Sequence, residues 1–313
     1  MFGVAVRVFA PARLHMGFAS TGWLMASWSG IGLALMEPAT VVEAVLEEGL
    51  GVRVYGPRSV EAEEVAKLVA ERTGLRRGVR LRVFKAPPSH VGLGSGTQLY
   101  LSILEAVSRL AGVEPPLEIL VEAGLVGSFS WVGVAAFRTG GFILDLGAAP
   151  SKARRYISLR FPEDWFVVHA RPPGRQGHPR SGEAEKLRAL SYSREAEQRL
   201  VELLMKKILP GVLDHDLELF GRGLSEYQRL IGAAFSTYQQ GIFNPYSVPI
   251  VSAMEEAGLL GVGQSSWGPT VYGFTESRRG AEEVAQLLTQ EKGWTVTVTV
   301  ANNTGARIVE SSA

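Results

Sequence analysis

The sequence predicts an α+β protein of two domains, and three observations carry that expectation. Alternating strand segments and amphipathic helical segments mix along the chain without the regular βαβ rhythm of a doubly wound sheet, so sheets covered by helices are the better description. The chain has 313 residues, more than a single core usually needs. A basic stretch at 149–160 lacks a long apolar stripe and marks the expected boundary between domains 1–155 and 156–313.

Residues 4–10 alternate and read as a strand stopped by Pro11; 30–37 and 40–47 read as two more, separated by Pro38, with a short one at 51–55. A helix is expected over 59–73, with Ser59 as its cap, Ala62, Val65, Ala66, Leu68 and Val69 on its apolar side and Gly74 ending it. Residues 78–85 alternate apolar with basic side chains, the mark of a half-exposed strand. A helix over 95–110 and another after Pro116 follow. The run 132–146 reads as two strands joined at Thr139-Gly140-Gly141, since a Gly-Gly pair suits a tight hairpin. Beyond the boundary come a strand at 165–170, an exposed Pro/Gly/Arg-rich loop at 171–182, and helices over 194–208, 214–235 and 248–257. The end reads strand, helix, strand at 271–274, 279–291 and 294–301.

Bulk composition excludes several functions. A net charge of +1 gives no global field for nucleic acid or an acidic membrane. The absence of cysteine removes disulfides, thiolate metal sites and cysteine nucleophiles. No apolar run reaches the ~18 residues of a spanning helix, and the N-terminal stretch, interrupted by Arg7 and Arg13, lacks a signal-peptide layout. A cytoplasmic protein is expected.

Two stretches carry chemistry. Val91 to Thr97 reads V-G-L-G-S-G-T immediately before a helix. Unpaired backbone N–H groups at a helix N-terminus attract phosphate, and glycines allow it close approach. The loop lacks the Lys-Ser/Thr of a Walker sequence and the spacing of a dinucleotide fingerprint. It reads as a phosphate seat at Gly92, Gly94, Ser95, Gly96 and Thr97, or as a plain strand-to-helix turn. The second stretch, 261–274, reads GVGQSSWGPTVYGF. Gln264, Ser265, Ser266 and Trp267 suit a small-molecule pocket, or a glycine-rich turn entering a core strand.

The run Pro88-Ser89-His90-Val91-Gly92-Leu93-Gly94-Ser95-Gly96 resembles the P-x-x-x-G-L-G-S-S loop of the GHMP kinase superfamily. That resemblance implies an N-terminal domain like ribosomal protein S5 and a ferredoxin-like C-terminal domain. The 261–274 stretch is similar to the C-terminal motif of the β-ribofuranosylaminobenzene 5′-phosphate synthases within that superfamily. Arg13-Leu14-His15, the G-I-G-L-A-L run at 30–35, L-G-S-G-T-Q-L at 93–99, Gly140-Gly141-Phe142, F-P-E-D-W at 161–165 and Gln239-Gln240-Gly241 match the same family in order. Two places depart from it: 19–29 carries no carboxylate, and Val126 and Trp131 stand where the family tends to have Arg and Gly.

The resemblance implies a transferase of methanopterin biosynthesis. Phosphoribosyl pyrophosphate would react with 4-aminobenzoate or 4-hydroxybenzoate, losing pyrophosphate and carbon dioxide, with Mg²⁺ assisting. Arg13 is then a candidate fork for carboxylate or phosphate, and His15 a donor or proton-transfer group. Gln264, Ser265, Ser266, Trp267, Arg175 and Glu183 become candidate substrate contacts, with His178 and Arg180 on the same loop as Arg175. The expected partners are small molecules, with a homodimer left open and the metal ligands unassigned. An ATP-dependent kinase is the competing expectation, weakened because no carboxylate lies between Gly124 and Gly141 and no lysine precedes Lys67. A non-catalytic phosphate-ligand binder is a third.

Overall fold

The computed structural model describes residues 4–24, 27–147, 155–174, 185–187 and 189–312. Two sheets form its frame. The first contains β1 (Val4–Phe18), β2 (Gly30–Glu47), β3 (Val52–Tyr55), β4 (Gly78–Lys85), β5 (Phe142–Asp145), β6 (Tyr156–Leu159) and the last strand, β11 (Arg307–Ser312). Its order is β11-β1-β2-β4-β3, while β5 pairs with the first part of β2 and β6 with β5. All pairings are antiparallel except β3 with β4. β6 and β11, both beyond residue 155, thus extend the sheet that the N-terminal strands build.

The second sheet holds β7 (Phe166–Arg171), β8 (Leu260–Gln264), β9 (Val271–Thr275) and β10 (Thr295–Val300) in the order β10-β7-β9-β8. Helices separate β7 from β8 and β9 from β10, which is the split βαβ arrangement of ferredoxin-like sheets. The first group includes α5 (Arg194–Leu203), a π-helical turn (Leu204–Ile208), α6 (Leu209–Leu213), α7 (Leu217–Gln239) and α8 (Val248–Glu256); α9 (Arg278–Lys292) is the second. The first sheet carries α1 (Ser59–Arg72), α2 (Ser95–Leu110), α3 (Glu118–Glu122) and α4 (Val132–Arg138). The α+β expectation holds.

Several boundaries differ from the sequence reading. β1 runs through Pro11, which falls at the register shift between Ala10 and Ala12, where no ladder hydrogen bond is asked of it. β2 runs through Pro38 for the same reason: Met36 to Ala39 lie between the pairs Ala12–Leu35 and Ala10–Thr40. The expected hairpin over 132–146 is helix α4 followed by β5. Val132 to Phe137 are all buried, and a short run that is apolar on every side cannot be told from a strand by periodicity. Ser59 is not the cap of α1; left-handed Arg58 precedes the helix and Ser59 is its first residue. The reading missed β8, whose glycines weaken the strand signal. A Cβ on Gly263 would stand 2.6 Å from Gln228 Cγ of α7, so close helix–strand approach requires glycine there.

One core cluster spans both sheets. Leu14, Met16, Leu33 and Leu35 of the first meet Trp165, Phe220, Tyr272 and Phe274 of the second layer. Phe161 and Phe220 lie 5.5 Å apart, and Phe220 and Phe274 meet edge to face at 5.2 Å. Each such ring contributes roughly 1.5–3 kcal/mol by burial, so the two sheets are fastened where β1 ends. No described helix is long and apolar enough to cross a membrane.

Candidate active site

Three segments distant in sequence meet at the end of β1. The Arg13 amide donates to Leu93 O at 3.1 Å, and the Ser266 amide to His15 O at 2.9 Å. The His15 amide donates to Ser265 Oγ at 3.0 Å, and that hydroxyl donates to Gly92 O at 2.5 Å. Thr270 Oγ1 donates to Val91 O at 2.5 Å. Strand, glycine loop and the turn after β8 are therefore tied to each other by main chain and short hydroxyls, which places their side chains with little freedom.

Two cavities flank this junction. The first, about 190 Å³, is walled by Arg13, the loop from Ser89 to Thr97, Arg58, Glu61, Tyr100 and Ser266 to Gly268. The α2 N-terminus opens into it, bringing the N–H groups that begin every helix without an acceptor. Gly94, the residue before α2, has φ +68°, and a Cβ there would stand 2.7 Å from Arg13 Cγ. The glycine thus lets the loop lie directly on the Arg13 side chain, whose guanidinium donates to Gly92 O at 3.3 Å. Ser95 Oγ closes the loop by donating to Pro88 O at 2.8 Å. Thr97 lines the cavity and packs against Gly133.

Arg58, Glu61 and Tyr100 form the outer wall, and no motif marks them in the sequence. Arg58 donates to both Glu61 oxygens at 2.9 and 2.8 Å and to Pro87 O at 3.2 Å, and Tyr100 donates to the same carboxylate. Burial raises the Glu61 pKa, but the Arg58 and Tyr100 hydrogen bonds outweigh it and hold the carboxyl below its usual range.

The second cavity is about 30 Å³, with His15, Phe18, Ile231, Phe235, Gln239, Gln264, Ser266 and Trp267 among its walls. His15 is 5% exposed. Its Nδ1 accepts the Gly17 amide at 3.2 Å, which leaves the proton on Nε2. Burial, then the charge of Arg13, push its pKa down to about 3, so the ring is neutral. Trp267 is 4% exposed, meets Phe235 edge to face at 4.6 Å, and has the Lys186 ammonium 5.8 Å from its ring centre. Trp267 and Ser266 line both cavities and form the partition between them.

Of the residues singled out from sequence, Arg13, Gly92, Gly94, Ser95, Gly96, Thr97, Ser266 and Trp267 line the first cavity, while His15 and Gln264 line the second. Ser265 lines neither; it is the buried link between the segments. Gln264 is fully engaged: its amide nitrogen donates to Gln239 Oε1 and Ser266 O, and its oxygen accepts the Asn244 amide. It shapes the site from behind. Arg175, His178, Arg180 and Glu183 lie outside the described residues. Among the described residues no group of three or more His, Asp or Glu side chains is gathered to hold a metal.

Comparison with known proteins decides the family. Residues 61–141 match the GHMP kinases N terminal domain, and 205–293 match GHMP kinases C terminal. A β-ribofuranosylphenol 5′-phosphate synthase from Archaeoglobus fulgidus is 31% identical, covering 97% of this chain and 99% of its own length. One from Methanothermobacter thermautotrophicus is 29% identical, with 96% and 97% covered. The chain belongs to the β-ribofuranosylphenol 5′-phosphate synthase family of the GHMP superfamily. Among solved structures, a homoserine kinase from Cytophaga hutchinsonii superposes with a TM-score of 0.73 at 21% identity, covering 97% of each chain. A mevalonate diphosphate decarboxylase from Staphylococcus aureus gives 0.70 at 15%, covering 98% of each. These two establish the shared fold.

Membership in the synthase family makes the chain a transferase-type enzyme and gives its two sequence departures a structural setting. The stretch 19–29 has no carboxylate of its own, yet one is supplied from α5. Buried Glu197 accepts the Ser20 hydroxyl at 2.5 Å and the amides of Leu24, Thr21 and Trp23 at 2.6, 3.1 and 3.3 Å. Val126 is buried in the core of the first sheet, and the Trp131 amide caps onto Asp145 Oδ2 at 2.6 Å. Neither residue is among those lining the two cavities.

Proposed function

We propose that this synthase transfers a phosphoribosyl group from phosphoribosyl pyrophosphate to 4-hydroxybenzoate with loss of carbon dioxide, a step of methanopterin biosynthesis. The observation that carries the reading is the first cavity: a helix N-terminus, a glycine loop and Arg13 converge on one space large enough for a pyrophosphate and sugar. The phenol in the relatives' name favours the hydroxy acid over the amino acid.

In this reading the Gly92–Thr97 backbone and Arg13 hold the pyrophosphate. As the ribose C1–O bond breaks, its electron pair leaves with the pyrophosphate, where fixed N–H donors and the guanidinium receive the growing charge. The ring carbon bearing the carboxylate bonds to ribose C1. The bond to the carboxylate then breaks, its electrons restore the aromatic ring, and carbon dioxide departs. No strong base is required at that carbon. Thr97 on the cavity wall offers the hard oxygen that Mg²⁺ takes alongside substrate phosphates, whereas the Glu61 carboxylate already accepts from Arg58 and Tyr100. Bound there, Mg²⁺ would supply further charge neutralisation.

Incubation with phosphoribosyl pyrophosphate, Mg²⁺ and carboxyl-labelled 4-hydroxybenzoate is expected to release carbon dioxide and pyrophosphate in equal amounts. A folded sample that releases neither, with this acid or with 4-aminobenzoate, overturns the reading. A melting temperature raised by ATP but not by phosphoribosyl pyrophosphate would point to a kinase instead.

A further inference from the structure

The second cavity has a chemistry of its own, and its size restricts what it takes. A space of about 30 Å³ compares with the roughly 10–15 Å³ that one water needs on the same measure. It admits a group of two or three atoms and excludes an aromatic ring. Its walls mix the apolar side chains of Phe18, Ile231, Phe235 and Trp267 with polar ones, among them Ser266 and three glutamines. Its glutamines are engaged elsewhere: Gln264 as described, Gln239 with Ile242 O and Gln264, Gln228 with Met16 O and the Gln264 amide. Among the buried side-chain atoms of the described lining residues, only the Nε2 of His15 has no hydrogen-bond partner. Because Nδ1 accepts the Gly17 amide, Nε2 carries the hydrogen and is a donor. Neither Arg13 nor Lys186 is among the residues lining this cavity.

Resting on the transfer reading above, we infer that this cavity is the carboxylate subsite of the aromatic acid, with the His15 Nε2–H donating to one carboxylate oxygen. The ring then lies on the Trp267 side of the first cavity, next to the ribose, and only the carboxylate passes the partition. The arrangement suits the bond that breaks. A carboxylate enclosed in so small a space and met by neutral donors loses most of its hydration, whereas carbon dioxide, being uncharged, loses little. Among the described lining residues there is no cation that would oppose its departure. His15 acts here as a binding residue for the leaving carboxyl group.

The test uses the purified enzyme saturated with pyrophosphate, so that no turnover occurs, and titrates 4-hydroxybenzoate or phenol, which differ by the carboxylate alone. His15→Phe is expected to weaken 4-hydroxybenzoate at least tenfold and phenol less than twofold. His15→Gln, which keeps an N–H donor, should recover part of the loss. In the unmodified enzyme the His15 Nε2 nitrogen resonance should shift with 4-hydroxybenzoate and not with phenol, a readout that survives if either variant fails to fold. Equal weakening of both ligands, or a Nε2 resonance indifferent to the carboxylate, overturns the subsite while leaving the transfer reading intact. Binding of pyrophosphate with neither aromatic overturns both.

Discussion

The Ser265 hydroxyl donates to the Gly92 carbonyl at 2.5 Å while receiving the His15 amide at 3.0 Å, so one buried oxygen joins the glycine loop to the strand that carries Arg13 and His15. Removing it leaves the buried His15 N–H unpaired, at about 1–3 kcal/mol, and the Gly92 C=O held by the Arg13 guanidinium alone. Ser265→Ala should therefore lower the urea midpoint and also weaken pyrophosphate binding, although Ser265 is not among the residues lining either cavity. A variant as stable as the parent would show that another group, or water, replaces the link.

Gly94 makes a second, sharper prediction because strain and contact can be separated. Gly94→Ala puts a side chain at φ +68° and a Cβ 2.7 Å from Arg13 Cγ. Gly74→Ala imposes nearly the same backbone strain at φ +70° with nothing within 4 Å. Both should cost about 1 kcal/mol or more of stability. Only the first should reduce pyrophosphate affinity, tenfold or more by calorimetry, since only it displaces Arg13 from beneath the loop. Equal affinities for the two variants would separate the loop from phosphate binding.

That contrast also marks what was legible in the sequence. The loop glycines, Arg13, His15 and the 264–267 turn were visible because short motifs carry their chemistry locally, and the cavities bring them together. Arg58, Glu61 and Tyr100 were not, because an arginine before a helix and a glutamate within it look like ordinary surface residues until the fold sets them opposite the loop. Ser265 and Gln264 were visible as polar residues, but their roles were not: whether a hydroxyl meets ligand or backbone depends on partners 173 residues away. α4 was misread for a related reason. Its exposure is decided by what packs on it, and Val132 to Phe137 are all buried.

Glu197 supplies the next prediction. Four donors of the segment 20–24 converge on its carboxylate. Burial raises its pKa, but the hydrogen bonds, led by Ser20, outweigh this and keep the carboxyl below its usual range. Glu197→Gln exchanges one acceptor oxygen for an NH₂ that faces N–H groups. We expect a loss of about 2–4 kcal/mol and faster proteolysis within 20–24. Unchanged protection of that segment would mean the carboxylate does not hold it.

His15 gives a prediction in pH. Its folded pKa lies near 3, depressed by burial and then by the Arg13 charge, against about 6.5 in the unfolded chain. Above pH 6.5 neither state binds the proton and His15 contributes no pH dependence. As pH falls below 6.5 the unfolded chain takes up a proton that the fold refuses, so stability is lost progressively, levelling off only near pH 3. The full excursion is on the order of 5 kcal/mol. Buried His169, with a pKa near 4 lowered by burial, adds a slope of the same sign. Comparing the unmodified enzyme with His15→Gln in urea at pH 7, 5 and 4 cancels the His169 contribution. The stability advantage of the unmodified enzyme should shrink steadily toward acid. A constant difference across that range would show that His15 gains its proton as easily inside the fold as outside it.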